Sequence, residues 1–77
     1  MPASRDSDSV SRQVSTEIRA WMARRAMTQQ DIALALGISR QAVSARLNGQ
    51  TQWTLDDLAA VAEELGVSVT TLLSPPS

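Results

Sequence analysis

Residues 28–49 read TQQDIALALGISRQAVSARLNG, two short helical patterns on either side of a glycine. Thr28 is a hydroxyl-bearing N-cap, and Asp31, three residues on, is the partner that completes a capping box. Ile32 and Leu36 are four apart and therefore share a face. Gly37 ends the pattern, because the left-handed conformation that closes a helix carries no Cβ penalty for glycine. Ile38 plugs the turn, and Ser39 caps a second helix on which Val43 and Leu47 again share a face. The other side of that second helix shows Arg40, Gln41, Ser44, Ala45 and Asn48, a hydrogen-bonding surface with little acid in it. The pattern predicts helices over about 29–36 and 40–48, joined as a helix-turn-helix.

Upstream, Val14, Ile18, Trp21 and Met22 recur at spacings that mark one face of an amphipathic helix from about Ser11 to Arg25. Arg12, Arg19, Arg24 and Arg25 fall mostly off that face. A solvated rim is the plain reading for them, with phosphate contact by Arg24 or Arg25 as the alternative. Residues 1–9, MPASRDSDS, have no periodicity and read as a disordered arm. The alternative there is an arm whose Arg5 reaches a nucleic-acid groove.

Downstream, GQTQW over 49–53 is a loop, with Trp53 either a lid on the core or a partner contact. Thr54 and Asp57 form a second capping box. Leu55, Leu58, Ala62 and Leu65 make an apolar stripe that Gly66 stops, while Asp56, Glu63 and Glu64 face water. Ser68 caps a last turn carrying Val69, Leu72 and Leu73, and Pro75 and Pro76 end it. One domain over 10–74 with a tail at 75–77 is expected. Three large apolar groups in the last turn exceed what a small core needs, so Val69, Leu72 and Leu73 are expected to supply a two-fold contact between copies.

Seventy-seven residues give a core near the lower limit for independent folding. Without Cys or His there is no disulfide, no thiolate chemistry and no expected metal site. No run approaches the ~20 apolar residues of a membrane span, and no signal-peptide core follows Met1, so a cytoplasmic location is expected. The net charge of −1 argues against a nucleic-acid partner, but its distribution argues for one. Residues 1–50 hold seven Arg against four acids, a balance of +3, and residues 51–77 hold four acids and no base, a balance of −4. Such a chain can offer a basic face and turn an acidic back to solvent.

With Gln29, Ala33, Gly37, Ile38, Val43 and the Asn48-Gly49 exit in place, residues 11 to 73 resemble the lambda-repressor-like (Cro/CI, XRE) helix-turn-helix family. The stretch TLDDLAAVAEELGVSVTTLL resembles that family's fourth and fifth helices. One departure is Arg46, which stands where the family often has an apolar residue beneath the recognition helix. The resemblance implies an all-α, compact five-helix domain and a double-stranded DNA partner bound by a homodimer.

On that reading the helix over 40–48 enters the major groove. Arg40 suits the two acceptors on guanine and Gln41 the acceptor–donor pair on adenine; Ser44 and Ala45, one turn on, complete the base contacts. The phosphate contacts are Gln29, at a helix N-terminus that favours anions, with Ser39, Arg46, Asn48, Gln50 and Thr51. The expected function is a sequence-specific transcriptional repressor of phage Cro or immunity-repressor type on an inverted repeat. It needs no cofactor and no small-molecule ligand. The alternative is a protein-interaction module or an antitoxin component in which DNA binding is secondary. An enzyme is not expected, since no nucleophile, base and orienting group stand together.

Overall fold

The computed structural model describes residues 3–73, with side chains from Val10 onward. Five helices follow one another: α1 over Ala3–Arg25, α2 over Gln29–Leu36, α3 over Arg40–Leu47, α4 over Leu55–Leu65 and α5 over Val69–Leu73. Among the described residues there is no strand, as the all-α expectation required. Helices α2 and α3 pack on each other, α4 lies against α2, and α1 crosses α3, α4 and α5.

The caps were legible in advance. Thr28 Oγ1 accepts from the Asp31 N–H at 3.2 Å while Asp31 Oδ2 accepts from the Thr28 N–H at 2.9 Å. The same reciprocal pair joins Thr54 and Asp57. Gly37 adopts φ 70° and ψ 31°, and the next N–H, that of Ile38, bonds back to the Ala33 carbonyl at 3.1 Å. This closes α2 and starts α3 within three residues, so the angle between the two helices is set by local geometry before any long-range packing.

The core draws on every helix. Val14, Ile18 and Met22 of α1 meet Ile32 and Ala33 of α2, Val43 and Leu47 of α3, Leu58, Val61, Ala62 and Leu65 of α4, and Leu72 of α5. Ala33, 1 % exposed, occupies the crossing where a larger side chain would hold the helices apart. Trp21, Met27, Leu36, Ile38, Trp53, Val67 and Val69 pack around this cluster.

Three expectations need correction. Helix α1 begins at Ala3, inside the stretch 1–9 that composition assigned to a disordered arm. Extending a helix already nucleated by packing at Val14 and Ile18 requires only propagation. Leu55, counted in the apolar stripe of α4, is 77 % exposed. The face that α4 buries, Leu58, Val61, Ala62 and Leu65, is centred about 70° around the helix from Leu55, which begins the helix at the rim of that face. Leu72 is fully buried in its own chain, so it closes the monomer core and is not available to a second copy. The tail at 75–77 lies outside the described residues.

Candidate nucleic-acid interface

Helix α3 carries Val43 and Leu47 inward, at 0 % and 5 % exposure, and its polar residues outward. Arg40 and Gln41 stand exposed in its first turn, with Ser44 and Ala45 half-buried one turn later and Asn48 exposed at its end. Ser39 Oγ accepts from the Ala42 N–H at 3.0 Å, fixing the N-terminus of α3. Gln29 begins α2, half-buried, and Gln50 and Thr51 are exposed in the following loop. That loop is anchored on α3 itself. The N–H groups of Gln50 and Thr51 both reach the Ala45 carbonyl, at 2.8 and 3.2 Å. The expected base-facing residues thus share α3, and Gln50 and Thr51 are held against the same helix.

Arg46 is the exception. Its Nε donates to Asp57 Oδ2 at 2.9 Å and its Nη1 to the Ala42 carbonyl at 3.1 Å, and both side chains of the ion pair are 16 % exposed. It was expected at a phosphate, but its guanidinium is turned inward to tie α3 to the N-terminus of α4. A charged head that finds a carboxylate and a carbonyl loses less on leaving water than one left alone. Burial pushes the Asp57 carboxyl up. Hydrogen bonds from the Thr54 backbone, the Arg46 guanidinium and the Thr54 side chain outweigh that and hold it below its ordinary 3.8.

Three further supports lie between residues too distant in the chain for any sequence pattern to pair. Arg19 Nη2 donates to Asn48 Oδ1 at 2.9 Å and to the Leu47 carbonyl at 3.3 Å, so a cation from α1 caps the C-terminus of α3. Asn48 in turn donates to Ser44 Oγ at 3.3 Å. Buried Ser15 donates to the Arg46 carbonyl at 3.1 Å and accepts from Trp53 Nε1 at 3.0 Å. Trp53 is thus a core lid held by a hydrogen bond. Arg24 and Arg25 flank the Trp21 ring at 4.8 and 5.0 Å, and Arg25 Nε caps the Leu65 carbonyl of α4 at 2.9 Å. That pairing favours the structural reading of Arg25 over phosphate contact.

Five helices, the second and third locked across a glycine turn and the third presenting a polar, donor-rich face, define a helix-turn-helix domain. The family model described as helix-turn-helix matches residues 18–72, and the chain belongs to that family, the XRE or lambda-repressor-like helix-turn-helix of DNA-binding transcription regulators. The crystal structure of a hypothetical transcription factor, NHTF, from Neisseria is similar, with a TM-score of 0.80 and 25% sequence identity over 87% of this chain and 77% of that one. No curated protein sequence matches the chain. Among the described residues no helix is long and apolar enough to cross a membrane.

Proposed function

We propose that this chain is a sequence-specific repressor of phage Cro or immunity-repressor type, a homodimer that lays α3 of each copy into successive major grooves of an inverted repeat. The observation that carries the reading is the first turn of α3. Arg40 and Gln41 are exposed, neither side chain has a hydrogen-bonding partner among the described residues, and the helix beneath them is fixed at both ends by Ser39 and Arg19. Preorganised bidentate donors on a rigid element are what base readout needs. Ser44 and Ala45 extend the contact along the groove. Gln29, Ser39, Asn48, Gln50 and Thr51 set the register on the backbone, which positions the protein without reading sequence. Repression then works by occupying DNA that polymerase needs.

The two-fold contact is assigned to Val69 and Leu73, the latter 40 % exposed, around the sealed Leu72. Two recognition helices about 34 Å apart then match successive turns on one face of the duplex. Leu34 and Leu55, 71 % and 77 % exposed, favour a second reading in which another protein is the partner.

Fluorescence anisotropy across a salt series, on DNA from upstream of the gene and on scrambled duplex, tests the proposal. Preference for the upstream DNA that persists as salt rises supports base readout. Arg40→Ala and Gln41→Ala should each remove about 1–3 kcal/mol of that preference while leaving the melting temperature nearly unchanged. Equal losses on both DNAs would refute their role as base readers. Absence of binding to any duplex, including a random-sequence pool, would leave the protein-partner reading.

A further inference from the structure

An open groove of about 320 Å³ separates α1 from the loop that leaves α3. Its walls include Ser11, Arg12 and Arg19 on one side and Asn48, Gly49 and Gln52 on the other, and among the described residues no carboxylate lines it. Arg12 and Arg19 are seven residues apart, two helical turns, so both project from the same face of α1. The Arg12 side chain has no hydrogen bond or ion pair among the described residues, while Arg19 uses only Nη2 on Leu47 and Asn48, leaving Nε and Nη1 uncommitted. A concave surface whose described residues give two guanidinium groups, amide and hydroxyl donors and no acid has the chemistry of an anion site. At ~30 Å³ per water, it has room for a hydrated phosphate group.

We propose that this groove is a phosphate-binding site, filled by a backbone phosphate when duplex DNA is bound. The choice of source rests on the DNA-binding reading above. An eight-residue helix is about 12 Å long, close to the ~12 Å width of the major groove. With the first turn of α3 on bases, its far end and the Asn48 that lines the groove therefore arrive at the phosphate wall. Arg12 and Arg19 supply there the positive charge that Arg46, committed to Asp57, does not.

The full chain with 15N-labelled arginine is titrated separately with a 20-base-pair duplex and with inorganic phosphate, following the Arg12 and Arg19 Nε–H signals. Arg12→Gln is compared with the parent in the anisotropy salt series; the exposed Arg12 side chain has no partner among the described residues, so this variant should keep its helical circular dichroism. Shifts of both signals with either probe are expected, together with a salt slope reduced by about 1 and a fivefold to tenfold loss, on the order of one released counterion at 0.1 M salt, on specific and random DNA alike. Signals that move with phosphate while the Arg12→Gln slope stays at the parent value support the site but assign it to free phosphate. Signals unmoved by both probes overturn it. Arg40→Ala separates the two failures: if it still abolishes preference for the upstream DNA, the groove proposal falls and the DNA reading stands.

Discussion

Ala26 sits at φ 55°, among the described residues the one non-glycine with positive φ. It closes α1 as Gly37 closes α2, with the Met27 N–H bonding back to the Met22 carbonyl at 2.9 Å. An L-residue in this region carries roughly 1–2 kcal/mol of strain, part of which glycine returns as greater freedom in the unfolded chain. Ala26→Gly should stabilise the protein by about 0.5–1 kcal/mol, read as a higher urea midpoint at unchanged slope. Ser15 is the opposite case. Removing its hydroxyl leaves the Trp53 indole N–H and the Arg46 carbonyl without the partner that now joins them. Ser15→Ala should cost about 1–3 kcal/mol, and a change below 0.5 kcal/mol would mean that Trp53 is held by packing alone.

At the scale of the helix, Arg46 and Asp57 decide how firmly α3 is presented. Asp57 serves twice, as the capping-box acceptor of α4 and as the ion-pair partner of Arg46. Its folded pKa lies below 3.8, so its contribution is fully present above the ordinary carboxylate range and is lost as pH falls through the lower folded value. Asp57→Asn should destabilise by about 1–2 kcal/mol at pH 7. The gap from the parent should close in strongly acidic urea titrations; a pH-independent gap would show that the loss is steric. Arg46→Ala should lower stability while leaving the salt slope of DNA binding at the parent value. A slope reduced by about 1 would return Arg46 to the phosphate contacts.

For the molecule as a whole, neighbouring leucines have different duties. Leu72 is sealed between α1 and α4, whereas Leu73 is 40 % exposed. Leu72→Asp should unfold the monomer, because a buried carboxylate without a partner costs more than a domain this small can lose. Leu73→Asp should keep the circular dichroism spectrum and shift sedimentation from dimer to monomer. An unchanged sedimentation coefficient would remove α5 from the two-fold contact. The acidic residues of the last third of the chain meet the arginines of the first two thirds at the Arg46–Asp57 ion pair, so part of the charge is spent inside the fold.

Most of the fold was legible because its signals are local. Caps at Thr28, Ser39 and Thr54, the glycines at 37 and 66, and apolar residues spaced by three and four act within a single turn or helix. The polar face of α3 was legible for the same reason. Tertiary structure alone decided what each long side chain meets. Arg46 turns to Asp57, Arg19 caps a helix 28 residues away, Arg25 reaches a carbonyl 40 residues away and Ser15 takes Trp53 across 38. Periodicity fixes which way a residue points from its own helix, but only the packing of helices fixes what stands opposite. So Leu55, counted in an apolar stripe, lies exposed at the rim of the face that α4 buries, and Leu72, expected at a partner, closes the core.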